Sequence, residues 1–123
     1  MRRRICRGIL PHLGTPVALA SESVTSSSDG NCNNWYPHGW SFTQWSGYPS
    51  GSTAWVEGDL KHNGVLKKTS YQAQYGASGR VAADNYYSTY SFGTGQWVEV
   101  GTHSGTVYNG QYINTYAYIN CGT

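Results

Sequence analysis

The sequence predicts an all-β protein: a small single-domain antiparallel β-sandwich of roughly six to eight strands, or a small barrel, closed by one disulfide. Three observations carry that expectation. From residue 35 onward Tyr and Thr lead, with Trp and Val among them and glycine in nearly every gap, while Leu, a usual helix builder, is scarce. No stretch holds apolar residues at i, i+3 and i+4 through about three helical turns. Turn signals recur about every ten residues, the rhythm of short strands in sandwiches and barrels.

The chain opens with "MRRRICRGILPHLGTPVALASES". Four arginines, an interrupted apolar run and the small-x-small end Ala18-Leu19-Ala20 have the parts of a secretory signal peptide, cleaved after Ala20. An arginine-rich, acid-poor transit peptide and a plain basic tail are the competing readings. The apolar run is too short and too broken by Pro11, Gly14 and Pro16 to span a bilayer. Export would also reverse the charge. The 123-residue chain carries eight Lys and Arg against six Asp and Glu, net +2. Loss of Arg2, Arg3, Arg4 and Arg7 leaves four cations against six acids, net −2. Only Lys67 and Lys68 are adjacent, so nucleic acid is not an expected partner.

Cysteine usage agrees with an oxidising compartment. Cys6 leaves with the leader, and Cys32 and Cys121 remain as an even pair, read as a disulfide. On the chain-entropy view such a bridge stabilises by about 4–5 kcal/mol. No CxxC or CxH spacing points to a metal.

The expected domains follow in order. Residues 1–20 form the signal peptide. Residues 21–34, "SESVTSSSDGNCNN", read as a flexible Ser/Asn-rich arm. Residues 35–123 form the β-domain, beginning with one or two short strands in "GWSFTQWSGY". Next come "STAWVEGDLKH" and "VLKKTSYQAQY" around His62-Asn63-Gly64, a hairpin signal because both Asn and Gly tolerate positive φ. "GASGR" interrupts the chain before "VAADNYYSTYSF", a third long strand. "QWVEVGTH" and the closing stretch "GQYINTYAYINCGT" complete the set. In that closing strand Ile113, Thr115, Ala117, Ile119 and Cys121 alternate with Tyr112, Asn114, Tyr116, Tyr118 and Asn120. The half-cystine and the isoleucines assign the first set to the core and the tyrosines to the surface.

Residues for catalysis are few. Glu57 and Asp59 share a strand face at about 6–7 Å, a separation compatible with paired carboxyl chemistry. Acids on outward strand faces, Glu99 included, ordinarily serve solubility, and no enzyme activity is expected. His38, His62 and His103 are isolated and read as exposed loop residues. Asp29, Asn31 and Asn33 imitate the first half of a calcium loop. Asn34 stands where glycine is needed and Trp40 where the bidentate glutamate belongs, so neither a metal nor another cofactor is expected.

Aromatic excess is the functional signal: eleven Tyr, five Trp and two Phe. Trp35, Tyr36, Trp40, Trp45 and Tyr48 crowd one loop-like stretch and form the first candidate binding site, since indole and phenol faces stack on sugar rings. Tyr112, Tyr116 and Tyr118 form a second candidate surface, and Trp55 and Trp97 are assigned to the core. The expected function is a secreted, extracellular, non-enzymatic recognition protein for glycan or another extracellular polymer. Its alternative is an antagonistic, inhibitor-like or self-assembling protein acting through protein–protein contacts.

Overall fold

The computed structural model describes residues 21–33, 36–87 and 95–122. Residues 1–20, where the expected signal peptide falls, Asn34, Trp35 and the end of the "VAADNYYSTYSF" segment lie outside the described residues.

The chain forms seven described strands: β1 (Ser23–Asn33), β2 (Tyr36–Ser46), β3 (Thr53–His62), β4 (Val65–Tyr75), β5 (Gly79–Tyr86), β6 (Gly95–Ser104) and β7 (Ile113–Cys121). They pair antiparallel into a three-stranded sheet, β1-β2-β5, and a four-stranded sheet, β4-β3-β6-β7. Across the sandwich β1 lies against β7, β2 against β6 and β3, and β5 against β3 and β4. The β3–β4 hairpin closes at Asn63 and Gly64, with φ of 50° and 83°, as the Asn-Gly pair predicts.

Two expectations fail at the start of the domain. The Ser/Asn-rich segment is not a flexible arm: Ser23–Asn33 is an edge strand, paired with β2 from Ser23↔Ser46 to Asn33↔Tyr36. The following aromatic stretch is not a loop with short strands but one strand of eleven residues. Both corrections have one cause. Pro37, Gly39, Ser41, Thr43 and Trp45 alternate inward along β2, and Ser26 and Ser28 meet them from β1. Buried hydroxyl partners replace the aliphatic stripe that would have announced these strands.

The interior is divided. Trp45, Ala54, Val56, Val81, Ala83 and Val107 form one apolar cluster. Leu60, Trp97, Ile119 and Cys121 form another, beside the Cys32–Cys121 disulfide. That bridge joins an edge of one sheet to an edge of the other.

Between the clusters runs a chain of polar side chains, and its hydrogens can be assigned in sequence. Ser41 Oγ donates to Glu99 Oε2 at 2.7 Å. Having spent its proton there, Ser41 accepts from Ser28 at 2.7 Å, and Ser28 accepts from Thr115 at 2.6 Å. Thr115 therefore accepts from Nε2–H of His103 at 2.8 Å, and Thr43 donates to His103 Nδ1 at 2.8 Å. Asn85 Nδ2 donates to the other Glu99 oxygen at 3.1 Å and to Gly58 O at 2.8 Å. His103 and Glu99 are fully buried, so the expectations of an exposed loop histidine and an outward acid are both corrected. His38 and His62 lie on strands as well, at β2 and the end of β3. His62 stacks on Trp97, with ring centroids 4.4 Å apart.

Room for the Glu99 carboxylate comes from missing side chains. A Cβ on Gly39 would sit 2.7 Å from Oε1, and one on Gly58 would press on Oε2. Burial raises the Glu99 pKa, the Asn85 and Ser41 bonds pull it back, and the charges of Asp59 and Asp84 raise it further. Burial lowers His103 to about 4.

Candidate ligand-binding site on the outer sheet face

Strict alternation along β3 sends Ala54, Val56, Gly58 and Leu60 inward and Trp55, Glu57, Asp59 and Lys61 outward. Trp55 is therefore not a core residue. Its ring lies on the outer face of the four-stranded sheet, 5.7 Å from Tyr71 of β4 and 5.6 Å from Tyr112, the latter edge-on at 86°. Trp97 does belong to the core, at 0% exposure.

Trp55 and Tyr112 wall an open pocket of about 500 Å³, completed by Thr53, Ser104, Gly105, Thr106, Asn109 and Gly110. The β6–β7 connection supplies most of this rim through a 3-10 turn, Thr106–Tyr108. Thr53 N–H donates to Thr106 Oγ1 at 2.8 Å and Thr106 N–H to Thr53 Oγ1 at 3.0 Å, which pins the turn against β3. Asn109 adopts φ 55° and Gly110 φ 77°, reversing the chain toward Tyr112. Ser104 Oγ donates to Gln111 O at 2.8 Å and fixes the return. An edge-to-face aromatic pair thus stands over a rim of hydroxyl, amide and backbone groups.

The same face continues across the sheet. Register places Tyr116 opposite Val100 and Tyr118 opposite Val98, with both tyrosines outward. Ile119 and Cys121 are buried on the other side of β7, so the alternation read from the closing strand holds there; Ile113, at its start, is exposed. Glu57 and Asp59 run down the middle of the face. Partial burial, then the adjacent Asp59 carboxyl, raises the Glu57 pKa. Asp59 accepts from Thr69 Oγ1 at 2.9 Å.

The first predicted cluster is split by its strand. Tyr36 and Trp40 face outward on the three-stranded sheet, where the His38 ring lies 4.8 Å from Trp40 and its Nε2 lies 2.5 Å from Asp84. Trp45 points the other way, is 2% exposed, and donates its Nε1–H to Gly76 O at 2.9 Å. It fills the core and offers no face to a ligand. Tyr48 packs on the same apolar cluster and donates to Val107 O at 3.3 Å. Burial, with Glu22 and Tyr108 nearby, raises its pKa. Trp35 lies outside the described residues. Asp29 and Asn31 belong to an extended strand, not a calcium loop, and among the described residues no three His, Cys, Asp or Glu gather as metal ligands.

Sequence reasoning missed Trp55, Thr53, Thr106 and Asn109. The Trp55-Glu57-Asp59-Lys61 alternation was the available signal: a tryptophan in phase with three charged residues belongs to the solvent face.

No protein-family model matches the chain, and no curated protein matches it. Among solved structures, the CARDB domain of the PF1109 protein from Pyrococcus furiosus, determined in complex with di-metal ions, is similar at a TM-score of 0.48 and 11% identity. The match covers 87% of this chain and 100% of that one.

Proposed function

We propose that this chain is a secreted, non-enzymatic recognition protein that binds glycan on the outer face of its four-stranded sheet. Trp55 and Tyr112 are its platform. The supporting observation is their edge-to-face pair over an open pocket rimmed by Thr53, Thr106 and Asn109. A sugar ring presents C–H groups on its faces and hydroxyls at its edge. It needs an aromatic surface beneath and polar groups beside it, the composition of this pocket. The leader and the Cys32–Cys121 bridge support export.

Retention on immobilised polysaccharides, chosen by a glycan array, tests the reading. Trp55→Ala and Tyr112→Ala should each weaken retention about tenfold or more, near 1.4 kcal/mol. Trp40→Ala, on the other sheet, should leave it unchanged. A protein that engages no glycan, or one that loses binding with Trp40 and not Trp55, would refute the assignment.

A further inference from the structure

Each sheet has two edges, and three of the four edge strands carry charge. β1 holds Asp29, β5 holds Arg80 and Asp84, and β4 holds Lys67 and Lys68. β4 is further interrupted by a register shift against β3 at Leu60/Lys61. Lysines and bulges are the usual means by which an edge resists another strand. β7 has neither. Ile113–Cys121 contains no Lys, Arg, Asp, Glu, His or Pro, and its ladder to β6 runs unbroken from Gly95↔Cys121 to His103↔Ile113.

The order of residues in β7 is also self-complementary. Asn114-Thr115-Tyr116-Ala117-Tyr118-Ile119-Asn120 reads nearly the same in both directions about Ala117. Antiparallel pairing opposes residues whose backbone groups both point across the gap, so opposed positions share parity and a self-pairing has one residue on its axis. For a strand of nine residues, full overlap puts that residue at Ala117. Tyr116 then opposes Tyr118 of the other copy twice over, Asn114 opposes Asn120, and β-branched Thr115 opposes β-branched Ile119. The smallest side chain of the series lies on the axis.

We propose that β7 pairs with β7 of a second copy of this chain, joining two four-stranded sheets into one antiparallel sheet of eight. Tyr116 and Tyr118, 57% and 68% exposed, form the cross-strand aromatic pairs of this junction. The strand is held ready from within. Its inner face is tied to β1 by the Cys32–Cys121 bridge and the Ser28–Thr115 hydrogen bond. The charged, interrupted β4 at the far edge stops growth at the dimer. This explains why the closing strand carries tyrosines opposite its aliphatic face.

Sedimentation equilibrium of the disulfide-bonded protein at micromolar concentrations, without ligand, tests the pairing. Wild type should show twice the chain mass. Tyr116→Lys/Tyr118→Lys sets four lysines against one another across the axis and should halve that mass. Tyr116→Lys/Tyr118→Glu changes the same exposed positions but opposes Lys to Glu twice, and should keep the dimer. Thermal unfolding of both variants checks that the fold survives. A monomeric wild type, a dimeric Lys/Lys variant, or a monomeric Lys/Glu variant would each overturn the proposal. None of these outcomes bears on the Trp55 pocket, whose binding is read separately.

Discussion

His103 and Glu99 are two ionisable groups buried in one hydrogen-bonded chain, and they respond to pH in opposite senses. His103 titrates near 4 in the fold against 6.5 when solvated. The unfolded chain therefore binds the extra proton first. Stability from the neutral imidazole is full above 6.5 and drains away as pH falls toward 4, by about 3 kcal/mol over the window. Protonation also places a second N–H against Thr43, which in the neutral state donates to Nδ1. Glu99 has a raised pKa, so its contribution is full below the solvated value of 4.5 and is lost as pH rises through its folded value. Melting temperature against pH should fall on the acid side, and His103→Gln should flatten that fall between 6.5 and 4. Glu99→Gln should instead remove a loss on the rising side. An acid limb unchanged by His103→Gln would place the sensitivity elsewhere.

At the scale of strands, the polar chain explains both what the sequence displayed and what it concealed. The β3–β4 hairpin was legible because Asn63-Gly64 is a backbone requirement, and the phase of Ile119 and Cys121 was legible because a half-cystine must be inside. β1 was not, since serine and asparagine have low strand propensity and only their partners across the sandwich make them structural. β6 was half legible: Trp97 reads as core, but Glu99, two residues on and therefore on the same face, reads as an outward acid. Both take the interior, and Val98 and Val100 lie on the other face. The candidate site was half legible: aromatic excess announced an exposed aromatic surface, but strand phase buries Trp45 and turns Trp55 outward. The same packing makes β3 intolerant where it crosses Glu99. A methyl group at Gly58 would meet the carboxylate, with Asn85 Nδ2 at 3.1 Å and Ala83 Cβ at 3.4 Å closing the other sides. Gly58→Ala should cost about 1–3 kcal/mol, lowering the urea midpoint at unchanged slope. An unshifted midpoint would mean that Glu99 can leave its niche freely.

For the whole molecule the question is what keeps two sheets together over a core divided into small apolar clusters. Side-chain hydrogen bonds cross the interface, Ser41 to Glu99, Thr43 to His103 and Ser28 with Thr115, but each adds only about 0.5–3 kcal/mol net, because the same groups are well solvated when unfolded. The covalent bridge acts differently. Cys32 and Cys121 are 89 residues apart, so the bond constrains almost all of the described chain in its unfolded state. It also joins β1 to β7, one edge strand of each sheet, which its own sheet holds from one side only. Reduction should therefore remove about 4–5 kcal/mol and lower the melting temperature by on the order of 20 °C. Loss should begin at β1, whose hydroxyl-rich sequence has little apolar surface to hold it, and amide exchange should quicken there before it does in β3. A reduced protein that melts with its oxidised form, with β1 still protected, would show that the polar chain alone suffices to clamp the sandwich.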